Sequence, residues 1–170
     1  MNYKYKILSW YNIDASCREI YKNMELDRYK PDCVIALLRG GVIPARIFSD
    51  FFDILLDFYA LDVKLYNGIG ITNDKPEIRT FFGADISNKN ILIIDDIWDS
   101  GKTMAAVLEH FKIHREMITT ATLFYKQSAM GMPDYYYETV MDDEWVVFPW
   151  ERDEFARLQE QEALNEKESC

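Results

Sequence analysis

The stretch from Ile91 to Thr103, ILIIDDIWDSGKT, constrains the fold more than any other part of the chain. Its first four residues are apolar and rich in β-branched side chains, which is typical of a strand buried on both faces. The run stops at two adjacent carboxylates, Asp95 and Asp96, and a helical pattern begins near Met104. A buried strand that passes through a polar turn into a helix predicts an α/β fold with a mainly parallel sheet flanked by helices.

The turn between this strand and helix combines groups that suit different parts of a ligand. Backbone N–H groups at the start of a helix hold an anion, usually a phosphate. Asp95 and Asp96 repel phosphate, but they accept hydrogen bonds from hydroxyl groups and can face a metal ion. The turn therefore predicts a ligand with hydroxyls or a metal next to its phosphate, and a ribose phosphate fits this description.

Three other interpretations of the same residues are weaker. A Walker A loop requires glycine five positions before the glycine of GKT, and Asp96 occupies that position. The string DDIWD contains the DDxxD of terpenoid synthases, but those are large all-helical proteins and this chain has 170 residues. An acidic turn that only caps a helix does not explain why other strand ends also carry polar, ligand-binding residue types.

A second strand–turn–helix unit follows the apolar run at 33–38. It leads into Arg39, Gly40 and Gly41 and then into a helical pattern over 42–52. The glycines permit close approach of the backbone to a ligand, and the Arg39 guanidinium suits phosphate oxygens. A third apolar run, at 118–125, ends at Lys126.

These strand ends are expected to meet. Carboxyl ends of parallel strands lie at one edge of the sheet, and ligands bind there near a topological switch point. We therefore expect Arg39, the turn from Asp95 to Thr103, and Lys126 to converge. The rest of the pattern predicts an edge strand or arm over 2–10, a helix over 13–24, one or two strands over 54–66, an irregular loop over 67–85, a helix over 104–114, strands over 135–140 and 145–148, and a terminal helix with a frayed end over 151–170.

Length and charge limit the classes of protein. We expect a single domain over 1–151 with an acidic helical or frayed tail over 152–170. The formal net charge of −10 argues against general nucleic-acid binding, which depends on Lys and Arg. No apolar run reaches the length of a signal peptide core or a membrane span, so a soluble cytoplasmic protein without a membrane partner is expected.

The string DDIWDSGKT resembles the phosphoribosyl pyrophosphate (PRPP) motif of type I phosphoribosyltransferases: two acidic residues, two apolar residues, Asp, Ser or Thr, Gly, any residue, Thr. The resemblance implies the type I fold, with a small hood built from the N- and C-terminal segments. It makes Arg39 to Gly41 the pyrophosphate loop, with a non-proline cis peptide at Leu38–Arg39. It also implies that the loop over 67–85 closes over the reacting centre.

The resemblance assigns roles to individual residues. Ser100 to Thr103 would hold the 5′-phosphate, Asp95 and Asp96 would accept the ribose hydroxyls, and Asp99 would take the proton from purine N7 as the catalytic base. Mg²⁺ is the implied cofactor, in contact with Asp96 directly or through water, with Glu151 as a weaker ligand. The residues predicted to bind PRPP are Arg39, Gly40, Gly41, Asp95, Asp96, Asp99, Ser100, Gly101, Lys102 and Thr103.

The purine is expected at three further residues. Lys126 resembles the family's contact to the exocyclic oxygen at position 6 of the base. The segment WVVFPWE resembles the end of bacterial xanthine-guanine enzymes, where the residue corresponding to Trp145 stacks on the base and the next, here Val146, offers backbone groups. Lys102, in contrast, resembles the residue found in the hypoxanthine-guanine class. Val147 stands where the bacterial relatives have a polar residue, so discrimination at position 2 of the purine stays open.

These features imply a purine phosphoribosyltransferase of purine salvage. It would join hypoxanthine, guanine or xanthine to the 5-phosphoribose of PRPP, giving a nucleoside 5′-monophosphate and pyrophosphate, and would form a homodimer or homotetramer. Two alternatives stay open: a PRPP- or nucleotide-sensing regulator without turnover, and a pyrimidine-type enzyme that shares the PRPP motif. Lys126 and Trp145 favour a purine over a pyrimidine.

Overall fold

The computed structural model describes residues 3–52, 56–64, 67–68, 71–72, 77–81, 86–111 and 115–168. In chain order the elements are β1 (Lys4–Ile7), α1 (Trp10–Leu26), β2 (Cys33–Leu38), α2 (Val42–Phe51), β3 (Asp57–Lys64), β4 (Asn67–Gly68), β5 (Ile71–Thr72), β6 (Glu77–Phe81), β7 (Ile91–Trp98), α3 (Lys102–Phe111), a 3-10 turn (Arg115–Met117), β8 (Ile118–Lys126), β9 (Tyr135–Val140), β10 (Glu144–Val147) and α4 (Arg152–Glu168).

The main sheet has six strands in the order β6-β3-β2-β7-β8-β9. All neighbours pair in parallel except β6, which runs antiparallel to β3 at one edge. This confirms the predicted α/β fold with a mainly parallel sheet. The chain moves from β2 outward to β3, then returns to β7 and moves outward the other way to β8 and β9. The switch point therefore lies between β2 and β7, whose carboxyl ends open a crevice.

Both faces of the central strands are buried, which explains their continuous apolar runs. In β7, Leu92 and Ile94 pack into the core formed with α1 and α2, where the predicted face of α1 is fully buried. Ile91 and Ile93 point to the opposite face and pack with Met104 and Val107 of α3. Alternate residues of one strand thus supply two separate cores.

Helix α1 begins three residues before the predicted start at residue 13. The Ser9 hydroxyl accepts a hydrogen bond from the Asn12 N–H at 3.2 Å, and the Asn12 side-chain oxygen accepts one from the Ser9 N–H at 2.8 Å. This reciprocal cap satisfies two of the N–H groups that a helix start leaves without partners. The cap therefore fixes the helix start at Trp10, ahead of the first buried residue, Ile13.

The hood is a second, two-stranded parallel sheet in which β1 pairs with β10. Leu8 continues the pairing, with its N–H donating to the Val147 carbonyl at 3.0 Å. Helix α4 rests on the hood, because Arg152 donates to the Leu8 carbonyl at 2.7 Å and the Phe155 ring lies 4.8 Å from that of Tyr5. The predicted hood of N- and C-terminal segments is confirmed, while the division of the chain after residue 151 stays a prediction.

Several predicted boundaries were wrong. Strand β7 extends to Trp98 instead of ending at Ile94, because its pairing with β8 continues past the carboxylates, from Asp95 opposite Thr122 to Trp98 opposite Tyr125. The region predicted as an irregular loop over 67–85 contains β6 and the β4–β5 pair, and its residues 69–70, 73–76 and 82–85 lie outside the described residues. The closing role of that loop stays a prediction.

The helix predicted over 104–114 is α3, which begins at Lys102 and is described to Phe111. Residues 112–114 lie outside the described part, as do residues 54–55 and 65–66 of the region predicted to hold one or two strands. The expected cis peptide bond is present at Leu38–Arg39. Within the described ranges, no helix combines the length and the apolar character needed to span a bilayer.

Candidate active site

The turn after β2 lies directly against the end of β7. A side chain on Gly40 would overlap the carboxylate of Asp96, and one on Gly41 would overlap the carbonyl oxygen of Ile94. Glycine is therefore required at both positions for the two loops to meet. The turn carries Arg39, whose side chain is exposed, to the crevice at the switch point. Arg39 and the β7 carboxylates are thus brought together, as the sequence predicted.

The two β7 carboxylates lie close together, with Asp96 buried and Asp95 half-buried. Asp96 donates its backbone N–H to Oδ1 of Asp95 at 3.0 Å, and Ile97 donates its N–H to Oδ1 of Asp96 at 2.8 Å. Burial raises the pKa of Asp95 well above its ordinary value, and the neighbouring charge of Asp96 raises it further. Burial also raises the pKa of Asp96, an increase that the hydrogen bond from Ile97 opposes. The pair is therefore poised to receive donors or positive charge.

Glu151 extends this negatively charged surface. Burial raises the pKa of Glu151, the charge of Asp96 raises it further, and the Arg39 guanidinium partly opposes the increase. The buried indole N–H of Trp150 forms no hydrogen bond within the described residues. Asp96 and Glu151 thus line the same cavity, and the Arg39 guanidinium is near enough to affect Glu151.

The carboxylates fit a divalent cation only in part. In the described part of the chain, no three His, Cys, Asp or Glu side chains are grouped closely enough to hold a metal ion. The charge of Asp96 nevertheless raises the pKa of Glu151, and a cation near the two carboxylates would oppose that increase. The chain can therefore supply part of a coordination shell, and the remaining oxygen ligands must come from a substrate or from water.

The turn from β7 into α3 encloses a cavity of about 80 Å³, here called the loop cavity. Gly101 adopts a left-handed backbone with φ of 80°, and the Lys102 N–H donates to the Ser100 hydroxyl at 3.4 Å. The Lys102 side chain is exposed and does not line the cavity. The lining residues are Asp95, Ile97, Trp98, Asp99, Ser100, Gly101, Thr103, Met104 and Thr122. The helix start and the small polar residues make this cavity suitable for an anion.

A larger cavity of about 340 Å³, the hood cavity, lies between the main sheet and the hood. The Lys126 ammonium reaches it from the end of β8 and donates to the carbonyls of Glu144 at 2.7 Å and Asp142 at 3.1 Å. An ammonium has three donors, so one remains for a ligand. The Trp145 ring is 48% exposed, which leaves a face for stacking. The other lining residues are Tyr3, Asp96, Ile97, Asp99, Ser128, Val146, Phe148 and Glu151.

The backbone of Val146 faces away from β1. Lys4 donates to the carbonyl of Asp143 and Leu8 donates to the carbonyl of Val147. In a parallel pair only alternate residues bond to a given neighbouring strand, so Val146 directs its N–H and C=O to the other side of β10. Lys126 already bonds the Glu144 carbonyl on that side. The Val146 amide is therefore placed to bond a planar ligand in the hood cavity.

Asp99 joins the two cavities. Together with Ile97 it lines both, so a ligand that fills the loop cavity and one that fills the hood cavity would meet at its carboxylate. The anion-binding turn is on one side, and the ammonium and indole are on the other. This arrangement suits a reaction that joins a phosphorylated, hydroxyl-bearing molecule to a planar polar ring and releases one proton.

The sequence did not reveal several lining residues. Tyr3 lines the hood cavity and meets the Trp145 ring edge-on, with ring centroids 5.6 Å apart. The position of Tyr3 depends on the pairing of β1 with β10, and these two strands are far apart in the chain. Ser128 and Asp142 also line the cavity and bond each other at 2.5 Å. For Tyr3, the strand-like pattern before Ile7 was the only signal in the sequence, and that pattern did not identify β10 as the partner strand. Val147 does not line the cavity, because its side chain is buried in the hood.

Comparisons with known proteins agree with this geometry. Residues 6–154 match the family model of the phosphoribosyl transferase domain. The chain is 33% identical over 153 residues to xanthine-guanine phosphoribosyltransferase of Cereibacter sphaeroides, with 85% of each chain covered. It is 26% identical over 187 residues to xanthine phosphoribosyltransferase 1 of Saccharomyces cerevisiae, covering 86% of this chain and 90% of the relative. The crystal structure of a purine phosphoribosyltransferase from Pyrococcus horikoshii matches with a TM-score of 0.74 and 33% identity, covering 88% of this chain and 94% of that one.

Proposed function

This chain belongs to the phosphoribosyl transferase family, and from that premise we propose that it is a purine phosphoribosyltransferase. It transfers 5-phosphoribose from PRPP to a 6-oxopurine, giving a nucleoside 5′-monophosphate and pyrophosphate in purine salvage. The observation that carries this function is the pair of adjoining cavities with Asp99 at their junction. One cavity suits a sugar phosphate and the other a planar base with an oxygen for Lys126.

PRPP occupies the loop cavity and the crevice beside it in this proposal. Backbone N–H groups of the turn from Ser100 to Thr103, with the two hydroxyls, hold the 5′-phosphate. Asp95 and Asp96 accept the ribose hydroxyls, whose donors compensate the burial that raises the pKa of both carboxyls. Arg39 and the backbone at Gly40 and Gly41 hold the pyrophosphate. The absence of side chains on the glycines lets this turn lie against Asp96 and Ile94 at the end of β7.

The purine occupies the hood cavity. Lys126 donates to the oxygen at position 6, and the two carbonyls that it already bonds fix the direction of the ammonium. The indole of Trp145 stacks on the base, and the Val146 amide bonds its edge. Because the Lys126 ammonium donates to an oxygen at position 6, the site favours hypoxanthine, guanine and xanthine over adenine. The amino group that adenine carries at position 6 would place donors against the ammonium.

The reaction forms a bond between purine N9 and ribose C1 while the bond from C1 to the pyrophosphate oxygen breaks. Asp99 accepts the proton that leaves N7, and positive charge that develops on the ribose is stabilised by the carboxylates around it. Most of the rate enhancement comes from holding the base and the sugar in line, since both are fixed before the bond changes.

Mg²⁺ is part of the proposal as a cofactor bound together with PRPP. Asp96 would hold it directly or through water, with Glu151 as the weaker ligand, and oxygens of PRPP would complete the shell. When bound, the ion supplies positive charge beside the departing pyrophosphate. A cytoplasmic location and a homodimer or homotetramer are also proposed, and they rest on the resemblance to the family.

Pyrophosphate release tests the function directly. The protein is mixed with PRPP and Mg²⁺, and hypoxanthine, guanine, xanthine, adenine, uracil and orotate are offered separately. We expect release with one or more of the 6-oxopurines. Release only with uracil or orotate would identify a pyrimidine enzyme. Silence with every base, although calorimetry detects binding of PRPP, would identify a PRPP-sensing protein without turnover.

A further inference from the structure

The turn between β8 and β9, residues 127–134, is bonded to the loop that follows β7. Trp98 donates its indole N–H to the Met130 carbonyl at 3.1 Å, and Met130 donates its backbone N–H to the Ser100 carbonyl at 3.1 Å. The two peptide groups that flank Met130 are thus held by Trp98 at the end of β7 and by Ser100 in the β7–α3 connection. These contacts join segments that are about 30 residues apart in the chain.

The contact is closest at Gly101. A side chain there would overlap the Met130 carbonyl oxygen and would approach the Trp98 indole nitrogen to 2.8 Å. Gly101 also has a left-handed backbone, which ordinary side chains rarely adopt. The anion-binding turn therefore packs backbone against backbone on Met130, and the position of Met130 determines the position of the turn.

The same β8–β9 turn also reaches the hood cavity. It begins directly after Lys126, where the Ala129 N–H donates to the Lys126 carbonyl at 3.1 Å. Its Ser128 hydroxyl donates to the Asp142 carboxylate, and Lys126 donates to the Asp142 carbonyl. The turn consequently touches the residue that holds the base at one end and the loop that holds the phosphate at the other.

Apolar burial does not explain how Met130 itself is held. The side chains of Met130 and Met132 are 62% and 56% exposed, although the neighbouring Ala129 packs against the core that contains Trp98, and Pro133 is buried. The Trp98 ring, by contrast, is only 7% exposed and lines the loop cavity. The indole N–H is the buried donor that fixes Met130, and a phenylalanine would fill much of the same space without it.

We propose that Trp98 is a positioning residue for the 5′-phosphate: its indole N–H fixes the backbone of Met130, which in turn fixes Ser100 and Gly101 in the geometry that receives the phosphate. This inference rests on the proposed function, because it takes the turn from Ser100 to Thr103 as the phosphate site. Trp98 acts through Met130 and does not contact the reacting atoms.

The test compares Trp98→Phe with the matched control Trp10→Phe, whose indole is exposed in the first turn of α1 and lines neither cavity. For Trp98→Phe we expect KM for PRPP and Kd for ribose 5-phosphate to rise by about 3- to 10-fold, the range of one lost hydrogen bond. The value of kcat at saturating PRPP and the Kd for guanosine, which lacks the phosphate, stay within about twofold of wild type. The control changes none of these quantities.

Two results would overturn the inference. Unchanged ribose 5-phosphate binding in Trp98→Phe would show that the indole N–H does not position the turn. An equal loss for ribose 5-phosphate and guanosine would show a merely structural role. Failure of the proposed function is distinguishable, because wild type would then release no pyrophosphate with any base while its binding of ribose 5-phosphate still reports on Trp98.

Hydrogen exchange on wild type keeps the inference testable if Trp98→Phe does not fold. Ribose 5-phosphate should slow the exchange of amides at 127–131 as well as at 100–104, because Met130 donates to Ser100. Slower exchange confined to 100–104 would contradict the proposal.

Discussion

The carboxylates at the two edges of the main sheet differ in whether they have hydrogen-bond donors or cations as partners. At the amino ends of the strands, carboxylates are matched by donors. Arg115 donates to both carboxylate oxygens of Asp134 at 3.0 Å, and Thr120 donates to Asp134 through its N–H and its hydroxyl at 2.8 Å. Asp32 accepts from the Asn90 N–H at 2.7 Å, and Lys89 lowers the pKa of Asp57.

At the carboxyl ends the carboxylates face one another. Asp95, Asp96 and Glu151 form no ion pair within 4.0 Å with any residue of the described ranges, and the pKa of each is raised chiefly by burial. The amino edge is therefore complete as a folded surface, whereas the carboxyl edge needs hydroxyl donors or cations from outside. The contrast separates residues that stabilise the fold from residues that await a ligand.

The largest effect is expected from Asp99→Asn at the carboxyl edge. The amide cannot accept the N7 proton, so kcat for pyrophosphate release should fall by about 10²–10⁴-fold. Stability should not change, since Asp99 is exposed. A kcat within about threefold of wild type would contradict a general-base role.

At the amino edge, Asp134→Ala should lower the free energy of unfolding by about 1–3 kcal/mol, because it leaves the Thr120 N–H and the Arg115 guanidinium without their acceptor. The values of kcat and KM at 25 °C should match those of wild type. Urea unfolding and steady-state kinetics on the same preparation measure both. If Asp134→Ala lost activity while its free energy of unfolding was unchanged, the proposal that carboxylates at the amino edge serve stability and not activity would be wrong.

Asp95→Asn should stabilise the unliganded protein by about 0.5–2 kcal/mol near pH 8 while it weakens PRPP binding. A carboxyl whose pKa is raised in the folded state binds more protons there than in the unfolded chain, so wild-type stability falls as pH rises from the ordinary pKa of 3.8 through the raised value. An asparagine side chain does not ionise, so Asp95→Asn removes this decrease in stability with rising pH. Denaturation at acidic, neutral and mildly alkaline pH measures the effect, and parallel curves for the two proteins would contradict it.

The smallest effect is expected from Lys89→Met, which removes the partner of Asp57 at the amino edge. Both side chains are partly exposed to solvent, so the pair contributes little and is screened by salt. We expect a slight decrease in the urea midpoint at low salt that disappears at about 1 M NaCl, beyond the range of surface electrostatics. A decrease that persists in high salt would mean that Lys89 stabilises through packing.

The parts of the fold that the sequence predicted are those encoded locally. The strands at 33–38 and 135–140 were predicted at their observed bounds, because a continuous apolar run marks the first and a run rich in tyrosine marks the second. Strand β6 was missed because its pairing with β3 is a tertiary contact and its own residues include few apolar ones. Strand β7 was cut short because Asp95 and Asp96 are polar, yet pairing with β8 keeps them in the sheet.

The candidate site shows the same division. Residues of the PRPP motif are contiguous, so their joint role could be inferred from their spacing. The bonds from Trp98 to Met130 and the contact of Tyr3 with Trp145 join distant segments, which no local pattern encodes. The roles of the predicted site residues stay predictions until substitution tests them, and so does discrimination at position 2 of the purine.

The hood has a consequence for how the protein is made. Lys4 pairs with Glu144, so β1 leaves the ribosome 144 − 4 = 140 residues ahead of its partner strand. At a synthesis rate of about 5–20 residues per second, β1 waits on the order of ten seconds. By then the chain has already produced Arg39, the turn from Ser100 to Thr103 and Lys126. In a newborn molecule all residues that line the loop cavity thus exist before the hood cavity is completed, which happens when β1 meets β10.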